Sequence, residues 1–234
     1  MLEQFLRNLL LLGQVGIDKL SHSKVLIFGI GGVGSYSVEA LARSGIGKIT
    51  LVDADIVCVT NINRQLEALY STVGRPKVEV YQERIYDINP QCEVTIYNEF
   101  VTVENVDKFI ESDTSYIIDA IDTISSKLKI IEKALTLKIP VISSMGMGNR
   151  LDPTKIRIAD ICETSNCALA RVMRRELRKK EIVNGVKVVY STELAKKHHQ
   201  HTAETTIGSL SFVPGVAGLF MASEVIKDII NINE

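Results

Sequence analysis

The chain has 234 residues and a formal net charge of −1, with 46% hydrophobic and 24% charged residues. One core of ordinary size accounts for that length, and a near-neutral chain has no overall attraction for nucleic acid, so any such attraction has to be local. The four cysteines, Cys58, Cys92, Cys162 and Cys167, include no C-x-x-C pair, which leaves no basis for a structural zinc site.

In chain order, residues 1–12 read as an amphipathic helix in which Glu3 and Arg7 argue against a secretory signal, so a reduced, cytoplasmic setting is expected. Residues 24–28 are a short apolar run ending in glycine, the pattern of a buried strand, and residues 33–43 read as the helix after it. Between them lies Gly29-Ile30-Gly31-Gly32-Val33-Gly34-Ser35. In such a turn the first glycine permits a tight bend, the second lets backbone approach phosphate, and the third packs helix on strand. Phosphate then sits on free amides at the positive end of the helix. The strand 48–52 leads into Asp53-Ala54-Asp55, and Asp53, nineteen residues after Gly34, stands where a carboxylate accepts hydrogen bonds from ribose hydroxyls. An NAD enzyme would show the same loop and the same acid.

Three further segments point to a triphosphate. Asn61-Ile62-Asn63-Arg64 lies on a short polar segment, Lys77 follows Arg75-Pro76 at the start of a helix running to residue 87, and Asp122-Thr123 follows the strand 116–120. A triphosphate about to lose pyrophosphate needs positive charge and usually a magnesium ion held by a carboxylate, and Arg64, Lys77 and Asp122 supply those parts jointly. Residues 93–97 read as a strand, 103–111 and 124–138 as helices, and 141–144 as a strand. This alternation predicts an α/β fold with a Rossmann-like, doubly wound, mostly parallel sheet and ligands at the strand carboxyl ends. A bend at residues 146–152 divides one domain, 1–234, into a nucleotide-binding half (1–145) and a smaller C-terminal substrate-facing half (146–234).

The second half carries a basic stripe. Arg171, Arg174, Arg175 and Arg178 fall at i, i+3, i+4 and i+7, with Lys179 and Lys180 beside them, while Leu169, Val172, Met173 and Leu177 are left to pack on the other side. A charge run is usually a solvated face, but an RNA backbone is its natural ligand if it has one. Lys196-Lys197-His198-His199-Gln200-His201 reads as a surface loop and not a metal site. The apolar run 212–230 is interrupted by Glu224, Lys227 and Asp228 and falls short of the ~20 residues that span a bilayer. It reads as a buried closing helix with a further use as a dimer contact.

The motifs Gly29-Ile30-Gly31-Gly32-Val33-Gly34-Ser35, Val59-Thr60-Asn61-Ile62-Asn63-Arg64-Gln65, Val73-Gly74-Arg75-Pro76-Lys77, Ile88-Asn89-Pro90 and Asp119-Ala120-Ile121-Asp122 resemble the adenylating superfamily that includes the ubiquitin-activating enzymes and the bacterial ThiF and MoeB proteins. Ser144-Met145-Gly146-Met147-Gly148-Asn149, the run from Leu169 to Leu177 and Ser211-Phe212-Val213-Pro214-Gly215-Val216-Ala217-Gly218 are similar to its tRNA threonylcarbamoyladenosine dehydratase branch, called TcdA or CsdL. The resemblance implies ATP-dependent activation of the threonylcarbamoyl carboxylate on tRNA, then ring closure by an intramolecular nitrogen with loss of water. By motif position it implies that Gly29, Gly31, Gly32 and Gly34 form the phosphate loop. Asp53 would hold the ribose, Asn61, Arg64 and Lys77 would line the phosphate site, Asp55 and Thr123 would complete the nucleotide site, and Asp122 would hold magnesium.

The resemblance also implies that Arg7 reaches a partner's ATP site, which requires at least a homodimer; an ordinary exposed helix charge is the alternative. It makes tRNA the ligand of Arg171, Arg174, Arg175, Arg178 and Lys179, and admits a cysteine desulfurase or sulfur-acceptor partner. Asn166-Cys167-Ala168-Leu169-Ala170 departs from the Asp-Pro-Leu-Ala common in the family; Cys162 and Cys167 fall broadly where thioester-forming relatives carry a reactive cysteine, but cyclisation needs no enzyme thiol, so a catalytic cysteine is the lesser alternative. Activation of a ubiquitin-like sulfur carrier remains the alternative activity, and an NAD-binding oxidoreductase or a nucleotide-sensing module stands behind it.

Overall fold

A computed structural model describes residues 3–196 and 207–231. Its centre is a strand with no exposed residue, β1 (Lys24–Phe28), whose continuous apolar run allows burial on both faces. β2 (Lys48–Val52) and then β3 (Glu93–Tyr97) pair in parallel on one side, and β4 (Tyr116–Asp119) and β5 (Val141–Ser144) on the other. The chain therefore leaves β1 in one direction and returns in the other, which opens a crevice at the carboxyl ends of β1 and β4. β7 (Lys187–Ser191) extends the sheet in parallel from β5, and β6 (Ile156–Asp160) closes it as an antiparallel edge. The second half thus continues the sheet of the first. The strand at 187–191 has no counterpart among the elements expected from the sequence, although Val186-Lys187-Val188-Val189-Tyr190 is the short apolar run typical of a buried strand.

Among the described residues, seven α-helices surround the sheet: α1 (Leu6–His22), α2 (Gly34–Ser44), α3 (Lys77–Ile88), α4 (Val106–Phe109), α5 (Ile124–Leu137), α6 (Ala168–Arg178) and α7 (Phe212–Ile230). Three depart from expectation for identifiable reasons. α1 runs ten residues past the expected end at residue 12, crossing a kink where Gly13 takes φ 67°. Pro76 is the residue before α3, with an extended ψ of 132°, because Val57 N–H to Arg75 O and Lys77 N–H to Asp55 O pin it in a strand-like segment. α4 shrinks to four residues because Asn105 turns its side chain on the preceding backbone, accepting from Thr102 N–H at 2.7 Å and donating to Phe100 O at 2.9 Å.

The main core forms where α2 and α7 cover β1 and its neighbours through Val38, Leu41, Ala42, Val213, Ala217 and Met221. Gly218 permits their close approach: a Cβ there would lie 2.2 Å from the Val33 carbonyl oxygen. No helix among the described residues is long and apolar enough to cross a membrane.

Candidate active site

The crevice holds a cavity of about 820 Å³, within the range of ligand sites. Gly29, Gly31, Gly32, Asp53, Asp55, Asn61, Arg64, Lys77, Asp122 and Thr123 all line it. Gly34 lies just behind, where a Cβ would sit 1.9 Å from the Gly29 oxygen. Gly29 itself has φ 83° and abuts the Ala120 backbone, so the bend after β1 requires glycine. The amides of Gly31, Gly32 and Val33 have no backbone acceptor among the described residues, which leaves the cradle at the start of α2 free for an anion.

Asp53 ties two loops together. Its Oδ2 accepts from Ile30 N–H at 2.8 Å and its Oδ1 from Asp55 N–H at 2.9 Å, which leaves each oxygen a lone pair for a hydroxyl. Burial raises its pKa against the opposing pull of Lys77 and the two amides. Lys77 is 4% exposed, sits in the first turn of α3 where the helix dipole disfavours a cation, and donates to Asp55 Oδ2 at 2.7 Å. The Arg64 stem lies against Gly32, and its Nη1 donates to Thr60 O at 2.9 Å and Asn63 Oδ1 at 2.8 Å.

Asp122 stands in the loop between β4 and α5, and that loop is anchored from below. Lys127, fully buried, pairs with the equally buried Asp119 at 2.9 Å and donates to Ile121 O at 3.1 Å, while Ser143 donates to Asp119 at 2.7 Å. Opposite, the cavity is walled by Met145 to Gly148, Leu169 of α6, Pro214 of α7, and Ile207 and Ser209 of a strap. Asn149, at φ 59°, donates from its backbone N–H to Gly208 O and accepts at Oδ1 from Gly208 N–H, both at 2.7 Å.

Two acids and an amide were not expected from the sequence. Glu99 lines the cavity beside Phe100 and Val101, beyond the carboxyl end of β3. Gln65 also lines it, with Oε1 buried and unpartnered among the described residues. Glu67 lies behind it, 1% exposed, with both oxygens lacking a partner there; burial drives its pKa up to about 8 against the pull of Lys77 and Arg64. The polar motif that ends at Gln65 gave no sign that this acid turns inward; the apolar Leu66 and Ala68 flanking it were the available hint.

Other expected residues lie elsewhere. Arg7 is exposed on α1 and does not line the cavity. On α6, Arg171, Arg175 and Arg178 are exposed, but Arg174 is half-buried and donates to the Thr164 carbonyl and hydroxyl, so the expected four-arginine stripe narrows to three. Its cause is the 310 turn at Ile161–Glu163, whose next residue, Thr164, needs a donor. Lys179 is exposed and, with Arg175, pairs with Glu176. Cys162 and Cys167 stay off the cavity wall, and a hydrogen bond with Asp160, followed by burial, raises the Cys162 pKa, the reverse of an activated thiol. The basic and histidine-containing cluster 196–201 lies outside the described residues except for Lys196.

The sequence profile of the ThiF family matches residues 5–234. The chain belongs to the ThiF family. Within it, the chain is 45% identical to the Bacillus subtilis (strain 168) protein named tRNA threonylcarbamoyladenosine dehydratase, across 98% of this chain and 96% of the relative. The Escherichia coli (strain K12) protein of the same name is 43% identical across 78% of this chain and 71% of that relative. The crystal structure of E. coli tRNA N6-threonylcarbamoyladenosine dehydratase, TcdA, in complex with ATP superimposes with a TM-score of 0.90 at 37% identity, covering 98% of this chain and 94% of that one. The α/β, mostly parallel sheet expected from the sequence is that of this ThiF-family structure.

Proposed function

We propose that this chain is an ATP-dependent tRNA threonylcarbamoyladenosine dehydratase. The observation that carries the reading is the 45% identity to a dehydratase along 98% of the chain and 96% of the relative. A carboxylate is a poor electrophile because its leaving group would be oxide. Coupling it to AMP removes that obstacle: a carboxylate oxygen attacks the α-phosphorus, and pyrophosphate leaves. An intramolecular nitrogen then attacks the acyl carbon, and AMP departs with the carboxylate oxygen, so the water lost from the substrate is accounted for by ATP becoming AMP and pyrophosphate.

In this reading the amides of Gly31 and Gly32 hold phosphate oxygens, and Asp53 accepts from the ribose with Asp55, Asn61 and Thr123 completing the nucleotide wall. Arg64 and Lys77 meet the charge that grows on departing pyrophosphate. Lys77 would exchange Asp55 for phosphate, a change its flexible stem permits. No cluster of three or more His, Cys, Asp or Glu side chains among the described residues could hold a metal alone. Asp122 fits the usual arrangement for magnesium, in which one or two carboxylates act together with substrate phosphates. Bound there, magnesium would neutralise phosphate charge.

The tRNA backbone would lie along Arg171, Arg175, Arg178 and Lys179, a track supported by the position of Leu169, which brings the start of α6 to the cavity wall. Arg174 would brace the helix from behind. We further place the enzyme in the cytoplasm as a homodimer to which each copy lends Arg7, with residues 1–145 and 146–234 as nucleotide and substrate halves of one domain, and with a cysteine desulfurase or sulfur acceptor as a further partner.

The test is nucleoside mass spectrometry after incubation with ATP, magnesium and tRNA bearing threonylcarbamoyladenosine, under conditions that preserve a labile ring. An ATP-dependent loss the size of one water is the expected result. No loss, with ATP–pyrophosphate exchange only on adding a ubiquitin-like protein, would replace this reading with activation of a sulfur carrier.

A further inference from the structure

Asn63 joins two walls of the cavity through one side chain. Its Oδ1 accepts from Arg64 Nη1 at 2.8 Å, and its Nδ2 donates to Ser209 O, in the strap, at 3.0 Å. The strap lines the cavity through Ile207 and Ser209, and the paired bonds from Asn149 hold it at Gly208, between those two residues. Arg64 Nη1 is thereby occupied by Asn63 and Thr60, which fixes the plane of the guanidinium, while Nε and Nη2 have no acceptor among the described residues. A planar guanidinium fixed at one nitrogen presents the others in a set direction, the condition for forked recognition of phosphate oxygens.

We infer that Asn63 is a positioning residue that couples the strap on the substrate side of the cavity to the orientation of Arg64 on the phosphate side. The inference rests on the proposed role of Arg64 at the triphosphate but not on the identity of the acyl substrate. Asn63 is exposed, so the bridge does not serve core packing.

The test is calorimetric binding of a non-hydrolysable ATP analogue with magnesium, with no tRNA present, to the full chain and to Asn63→Ala, Arg64→Ala, the double variant and Asn149→Gly. Glycine at 149 keeps the positive φ and removes only the side-chain anchor of the strap. Arg64→Ala is expected to weaken binding about 10-fold or more, as loss of a charged hydrogen-bond partner does. Asn63→Ala should reproduce a part of that loss, about 5-fold, and add less than about 2-fold in the Arg64→Ala background, the non-additivity of residues that act in series. Asn149→Gly should weaken binding in the same direction with an unchanged thermal midpoint. Asn63→Ala binding at the wild-type level, or losses that multiply independently in the double variant, would overturn the inference. Because this readout omits tRNA, it separates from failure of the dehydratase reading, which the nucleoside assay alone decides.

Discussion

The molecule carries two groups of cations on opposite terms with water. Lys77 and Lys127 are 4% and 0% exposed and each is committed to one carboxylate, whereas Arg171, Arg175 and Arg178 stand in solvent on one face of α6. A buried charge without its partner is costly, so each buried lysine acts as an individual with a defined position. Exposed charges are screened, interchangeable and individually weak, so the α6 stripe acts only as a sum. The difference separates a site that demands geometry from a surface that offers potential, the division that the proposed function requires of an adenylating centre and an RNA-binding surface.

Replacing Lys127 by Met tests the buried side most severely. It strands Asp119, whose Oδ1 already lacks a partner among the described residues, and should cost about 3–5 kcal/mol in denaturant unfolding. It also releases the Ile121 carbonyl and with it the loop carrying Asp122. An unchanged midpoint would show that the pair contributes nothing to the fold. Lys77→Ala removes a cation from the wall proposed to hold phosphate, and should lower turnover about 10²-fold or more in single-turnover assays with an unchanged unfolding midpoint. A surface-like effect of less than about twofold would place Lys77 with the α6 cations instead.

Glu67 sharpens the comparison from the acidic side. Its carboxyl rises from 4.5 to about 8 in the fold, so between those values the unfolded chain has lost the proton that the folded chain keeps. Stability on this account is fullest below about 4.5 and falls as pH rises toward 8. Glu67→Gln, which mimics the neutral acid, should therefore gain on the order of a few kcal/mol relative to wild type at pH 8 and little at pH 4 in urea titrations. Equal effects at both pH values would deny the shift. Ionised Glu67 would also oppose Lys77 and Arg64, so ATP affinity should decline above that pH in wild type and not in the variant.

Exposed cations should give smaller single effects. Arg171, Arg175 and Arg178 changed together to Ala should weaken tRNA binding about 10-fold and flatten its salt dependence by about 2 units of slope, with ATP affinity untouched. Arg174→Ala should instead cost about 1 kcal/mol of stability through the lost bonds to Thr164 and leave the salt slope in place. An equal change of slope for Arg174 would return it to the stripe.

These contrasts mark where sequence reasoning succeeds. β1 and the glycine turn were legible because burial on both faces demands a continuous apolar run, and because Gly29 and Gly34 occupy positions that a Cβ would fill. Local pattern could not reveal pairings made far along the chain. The inward turn of Arg174 depends on a loop ten residues earlier, the anchor beneath Asp122 depends on Ser143 and Lys127, and the strap reaches Asn63 across 146 residues. Glu67 shows the same limit in one residue, since its apolar neighbours Leu66 and Ala68 were the only sign in the sequence that this acid is buried.

Tracing the substrate carboxylate oxygen tests the central claim most directly. With threonylcarbamoyladenosine-bearing tRNA labelled with heavy oxygen in that carboxylate, the account predicts one labelled oxygen in the AMP released and none in pyrophosphate. Unlabelled AMP, or formation of ADP with labelled phosphate, would contradict activation by adenylation in this cavity.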